Sequence, residues 1–150
     1  MMRKSTRFEP IREIASNTAD ALSRGVADAE RHLAESERQL AQLQKYRSDY
    51  LSQREQSPDG MDTVRLQNLR SFLDRLGDAV RVQTEAVAAA RVDYEAKRLL
   101  WSQKRVEAEA LAKVVDRFKL DERRAQDRRD QNESDDASMR RLATEHFDVG

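Results

Sequence analysis

The sequence predicts an all-α fold, a long two-helix antiparallel coiled-coil hairpin with unequal helices. Three observations predict it: a long heptad seam, a polar helix-forming composition, and a single strong turn signal that divides the seam in two. The seam is clearest over residues 66 to 118. Stepping alternately by three and four gives Leu66, Leu69, Leu73, Leu76, Val80, Gln83, Val87, Ala90, Tyr94, Lys97, Trp101, Lys104, Ala108, Leu111, Val115 and Phe118. Thirteen of these sixteen are apolar or aromatic in a chain that is only 38% hydrophobic, so chance does not account for them. An apolar repeat every 3.5 residues is the mark of a helix wound around a partner helix.

The composition points the same way. Four Gly, two Pro and 37% charged residues in a chain of 150 belong to long helices rather than to a compact globule. So little apolar content would not offset the chain entropy of a globular core, whereas a hairpin needs only a narrow stripe. Lys plus Arg equals Asp plus Glu at 28 each, so no global field favours nucleic acid or an anionic membrane. The absence of Cys excludes disulfides and thiolate chemistry and fits a reducing, cytoplasmic setting. No apolar run reaches the length of a membrane span or a signal-peptide core.

In chain order, residues 1 to 7 are basic and are expected to fray. Helix one is expected over about residues 8–54, with Pro10 in its first turn, where a missing N–H costs nothing. Its seam reads Phe8, Arg12, Ala15, Ala19, Leu22, Val26, Ala29, Leu33, Ser36, Leu40, Leu43, Arg47 and Tyr50. A turn is expected over residues 55–61, where Gln56-Ser57-Pro58-Asp59-Gly60 has Pro, Asp and Gly in the favoured order. Asp62 then supplies an N-cap for helix two, expected over about residues 62–130. So short a connection makes the helices antiparallel. The expected register sets Tyr50 opposite Leu66, Leu43 opposite Leu73, Leu40 opposite Leu76, Ala15 opposite Trp101 and Phe8 opposite Ala108. In that register Leu111, Val115 and Phe118 form an overhanging seam with no partner in the chain. Beyond Leu120 the charged stretch either prolongs helix two through alternating charges or is disordered, and a flexible charged C-terminal tail is expected beyond about residue 130.

Little here supports catalysis. His32 and His146 lie far apart without ligand-like neighbours, and no phosphate loop or nucleophile motif is present. The sequence therefore predicts no enzyme, no metal, no cofactor and no small-molecule substrate. The Arg123-Arg124, Arg128-Arg129 and Arg140-Arg141 pairs are interleaved with acids, which argues against nucleic acid as a partner. The flanks of the seam are more informative. Glu30 and Glu37 on helix one and Arg70, Arg91, Arg98 and Arg105 on helix two make an ordinary charged flank. The opposite flank is uncharged, with Gln39 and Tyr46 on one helix and Phe72 and Ala79 on the other, beside Leu43, Tyr50, Leu76 and Gln83 of the seam. Such a strip either broadens the core or serves as a docking surface.

The stretch Leu40-Ala-Gln-Leu-Gln-Lys-Tyr-Arg-Ser-Asp-Tyr50, a Pro/Gly turn, and Leu69-Arg-Ser-Phe-Leu-Asp-Arg-Leu76 together resemble the bacterial flagellar export protein FliJ family. Its Leu-x-x-Tyr-x-x-x-Tyr pattern is matched by Leu43, Tyr46 and Tyr50, and its Phe-x-x-x-Leu-x-x-Ala stretch by Phe72, Leu76 and Ala79. The resemblance runs along essentially the whole chain. It implies a non-enzymatic stalk and general chaperone of the flagellar type III export apparatus, needed for flagellum biogenesis and motility. The implied partners are the export ATPase ring, the cytoplasmic domain of the membrane export-gate protein, and export chaperones. Membrane association at the cytoplasmic face would then run only through those partners. The implied gate-contacting residues are Gln39, Leu43, Tyr46, Tyr50, Phe72, Leu76, Ala79 and Gln83, the same edge that the flank pattern singles out. Gln83 stands where the family can carry His. Leu111, Val115 and Phe118 would enter the ATPase ring. The alternatives are an injectisome counterpart, or an unrelated structural coiled coil that dimerises.

Overall fold

A computed structural model describes residues 2–56 and 62–148. It contains two α-helices that pack against each other, α1 over Lys4–Gln56 and α2 over Thr63–Asp148, and no strand among the described residues. Of the turn expected over residues 55–61, Glu55 and Gln56 belong to α1, and residues 57–61 lie outside the described residues. Asp62 caps α2 as its sequence position requires, its Oδ1 accepting from the Arg65 amide at 2.8 Å while its carbonyl accepts from the Leu66 amide.

The chain divides into two compact units. In the unit formed by Asp20–Gln103, Ala29 and Ser36 of α1 and Val87 and Ala90 of α2 are the most buried seam residues. The two seams therefore have the expected phase, and their pairing is antiparallel. Tyr50 lies against Phe72, Gln39 against Gln83, and Glu37 against Arg91. The register is not the expected one. Tyr50 meets the Leu69–Leu73 turn of α2 instead of Leu66, a displacement of about one heptad. Carried along the seam, this offset sets Leu43 against Val80 and Ser36 against Val87, the last two both buried.

The unit formed by residues 1–19 and 104–150 shows what the slip gains. Phe8 stacks on Phe118 with ring centroids 5.4 Å apart, not on Ala108, and Val115 is fully buried at 0% exposure. Complete burial of such a side chain contributes roughly 1.5–3 kcal/mol. The Lys4 ammonium sits over the Phe118 ring at 5.6 Å, and Lys119 pairs with Glu9 at 3.4 Å. Leu111, Val115 and Phe118 are thus not an overhang, because the first turns of α1 cover them.

Within the basic leader expected to fray, residues 4–7 are already helical. Ser5 is buried, its amide donating to Glu122 Oε1 at 3.1 Å and its hydroxyl to Oε2 at 2.6 Å. The Ser5 amide belongs to the first turn of α1, whose N–H groups have no partner within the helix. A carboxylate from α2 thus caps α1 and meets the positive end of its dipole. Because α1 starts at Lys4, Pro10 falls inside the helix and not in its first turn. Its lost hydrogen bond is tolerated just after Ser5, Phe8 and Glu9, which hold this end of α1 to α2.

At the other end, α2 continues to Asp148, so the segment expected as a flexible tail beyond residue 130 is helical. Side chains one turn apart support it locally: Gln126 bonds Asp130, Gln131 bonds Asp135, and Thr144 bonds the Arg140 carbonyl.

Three outcomes follow from this packing. On oxidation, the pair Leu43→Cys with Val80→Cys is expected to cross-link within the chain. Leu40→Cys with Leu76→Cys should not, since one heptad displaces the partners by about 10 Å; the reverse result would restore the Tyr50–Leu66 register. The Ser5 hydroxyl and then the Ser5 amide hold the Glu122 carboxyl below its ordinary pKa. A depressed carboxyl stabilises the fold above its unfolded-state pKa and loses that contribution as pH falls through the folded value. Glu122→Gln should therefore lower the melting temperature at neutral pH, with the difference from the parent chain narrowing under acid conditions; a pH-independent difference would contradict the assignment. Gly25 and Gly77 lie inside helices without positive φ, and a Cβ at either meets nothing within 4 Å. Ala at each position is expected to stabilise by about 0.5–1 kcal/mol in urea titrations.

Candidate docking edge

Within the unit of residues 20–103, the uncharged flank forms an edge made by both helices. Its α1 side presents Gln39, Leu43, Tyr46 and Tyr50, and its α2 side Phe72, Leu76, Ala79 and Gln83. Residues at three and four apart share a helix face, which is why these spacings converge on one line. Leu43, Leu76, Ala79 and Gln83 are half-buried and form the floor, while the aromatic residues stand above it.

The slipped register changes who meets whom. Phe72, which a Tyr50–Leu66 register would set nearly opposite Tyr46, packs edge-on against Tyr50, with centroids 4.8 Å apart and rings inclined at 61°. An aromatic pair in this geometry is worth about 0.5–1.5 kcal/mol beyond its area burial. The pair still leaves Tyr50 37% and Phe72 36% exposed, and Tyr46, freed from Phe72, is 56% exposed. The strip is therefore only partly spent on widening the core.

The polar residues of the edge are held in place. Gln83 Nε2 donates to the Ser36 carbonyl at 3.0 Å and to Gln39 Oε1 at 3.3 Å, tying α2 to α1. Gln39 in turn reaches Glu35 Oε1 at 3.5 Å. Hydrogen bonding from Arg38, followed by its charge, holds the Glu35 carboxyl below the usual range, so it remains an acceptor at neutral pH. The other flank is ionic, as its charges predict: Arg91 bonds Glu37 at 2.9 Å across the seam.

No group of three or more His, Cys, Asp or Glu that could hold a metal ion occurs among the described residues. The surface depressions are shallow: one follows α1 at Gln44, Ser48, Leu51 and Glu55, and another lies between the helices at Ser5, Lys119 and Glu122. What the edge offers is a contact surface of two exposed tyrosines and a phenylalanine on an ordered aliphatic floor. The sequence reading missed Ser5 and Glu122, although both continue the seams by the same steps of three and four; their polarity concealed them.

No helix among the described residues is long and apolar enough to cross a membrane. Among curated proteins and solved structures, none matches the chain significantly. A family model described as "Flagellar FliJ protein" matches residues 3–146, nearly the full chain. That family is a component of flagellar type III protein export and is not a known enzyme. The helical hairpin, its seams and this match together place the chain in the FliJ family.

Proposed function

We propose that the chain is a non-enzymatic coupling part of the flagellar export apparatus, a coiled-coil stalk and chaperone between the export ATPase ring and the membrane export gate. The observation that carries this reading is the exposed aromatic edge of Tyr46, Tyr50 and Phe72 on its floor of Leu43, Leu76 and Ala79. A coiled coil with no further partner places charge on both flanks of its seam. Here one flank is ionic and the other is apolar, ordered and open, the composition of a contact centre rather than a solvated surface. The cytoplasmic domain of the gate protein docks on this edge, with Gln39 and Gln83 at its polar end. Export chaperones that bind the chain compete for the same residues.

The contact with the ATPase ring falls to the exposed residues of α2 past Ala125, since α1 covers Leu111, Val115 and Phe118. The protein reaches the cytoplasmic face of the inner membrane through these partners alone.

Tyr46 decides the matter, because it is exposed and supports little of the fold. Tyr46→Ala is expected to weaken binding to the gate cytoplasmic domain at least tenfold, a loss above about 1.4 kcal/mol, with helical circular dichroism unchanged. Unchanged affinity in calorimetry would remove the edge from the gate contact. Loss of helicity instead would return Tyr46 to the core.

A further inference from the structure

The first turns of α1 are attached unevenly. Residues 4–9 join the rest of the helix through Pro10, and they meet α2 along one short stretch. The Ser5 amide and hydroxyl donate to the two Glu122 carboxylate oxygens, and Glu9 pairs with Lys119. Phe8 stacks on Phe118, whose ring also carries the Lys4 ammonium. All of these partners lie within residues 118–122, little more than one turn of α2. One turn before them sits Val115, fully buried.

The joint at Pro10 is weak. Pro10 has no N–H to donate to the Thr6 carbonyl, and its ring crowds that carbonyl. It also biases Glu9 away from helical dihedrals. A side-chain bond does cross the joint, from Arg12 to Glu9 Oε1, but it is long at 3.4 Å. The other carboxylate oxygen, Glu9 Oε2, is buried and makes no hydrogen bond among the described residues, although Lys119 stands 3.4 Å away. A buried acceptor left without a hydrogen bond weakens the packed state, and opening would return it to water. Depressions flank the segment on both sides, one at Arg3, Glu122 and Arg123 and the other at Thr6, Pro10 and Glu13. The segment therefore rests on α2 along a narrow line.

We propose that residues 4–9 form a clasp that opens at Pro10 while the rest of the hairpin stays folded, baring Val115 and Phe118. A detached piece of this length does not stay helical, because too few bonds repay the cost of its first turn. The clasp therefore opens and melts in one step, and its contacts re-form together. Closed, it withholds an apolar turn of α2 from other surfaces; open, it releases that turn. The clasp lies within the unit of residues 1–19 and 104–150, so the proposal stands whether or not the edge at Tyr46, Tyr50 and Phe72 binds a partner.

The chain has no Cys, so Val115→Cys and Val87→Cys each place a single thiol at a buried seam position, the second serving as reference. Labelling of the full chain with a chromogenic disulfide reagent measures how often each thiol is bared. The thiol of Val115→Cys is expected to react at least tenfold faster than that of Val87→Cys, with little change in low urea. The reference should accelerate steeply with urea, because only global unfolding exposes it. Adding Pro10→Ala should slow labelling of Val115→Cys at least tenfold and leave Val87→Cys unchanged. Adding Glu122→Gln should speed labelling of Val115→Cys alone. Hydrogen exchange in the unsubstituted chain gives a second reading that needs no Cys. The amides of Arg7, Phe8 and Glu9 should share one protection factor, well below that of Val87, and gain protection together with Pro10→Ala. Equal rates and urea slopes at the two thiols, or no effect of Pro10→Ala, would overturn the proposal. So would protection that rises residue by residue from Arg7, which is ordinary fraying of a helix end.

Discussion

Closure of the seam at Phe8, Val115 and Phe118 decides which heptad of α1 meets which heptad of α2. A heptad repeat fixes the phase of each helix but not the offset between them. Sliding one strand by seven residues returns every seam position to another seam position. The competing registers therefore differ only in which particular side chains meet. The observed one buries Val115 completely, pairs Phe8 with Phe118, and brings the Glu122 carboxylate onto the Ser5 amide and hydroxyl. In the alternative, Leu111, Val115 and Phe118 of α2 would remain in water and the first turn of α1 would lack its acidic cap. Burial of two to three large side chains, at roughly 1.5–3 kcal/mol each, outweighs any difference between one leucine contact and another along the rest of the seam.

The docking edge inherits its form from that offset. With Tyr50 across from the Leu69–Leu73 turn, Phe72 finds an aromatic neighbour and Tyr46 loses one. Gln83 comes within hydrogen-bond distance of the Ser36 carbonyl and of Gln39, which satisfies a polar seam position that would otherwise weaken the core. The edge is thus ordered before any partner arrives, and pre-ordering lowers the entropic cost of binding. Its opposite flank closes with ion pairs such as Glu37–Arg91, each worth about 0.2–1 kcal/mol at an exposed site. The asymmetry between flanks, not the strength of either, sets the uncharged edge apart from the rest of the surface.

The two helices also differ in their backs. α1 turns Arg24, Arg31, Arg38 and Lys45 to water, whereas α2 turns Val92 and Leu99.

From residue order alone came the helical class, the two seams and their phase, the Asp62 cap, the antiparallel sense and the residues of the uncharged edge. Each depends on local chemistry or on periodicity, which a linear chain states directly. The FliJ resemblance rested on that edge and agrees with the family match over residues 3–146. Tertiary structure alone decided the register, the ordered start at Lys4, the covering of Leu111, Val115 and Phe118, and the Tyr50–Phe72 pair. The extension of α2 to Asp148 was open to sequence reasoning and undecided by it, because alternating charges serve a solvated helix and an unfolded tail equally well. The rest was hidden because offsets of whole heptads are equivalent in pattern. Only the contacts at the ends of the seam, where one register leaves Phe118 bare and the other covers it, separate them in energy.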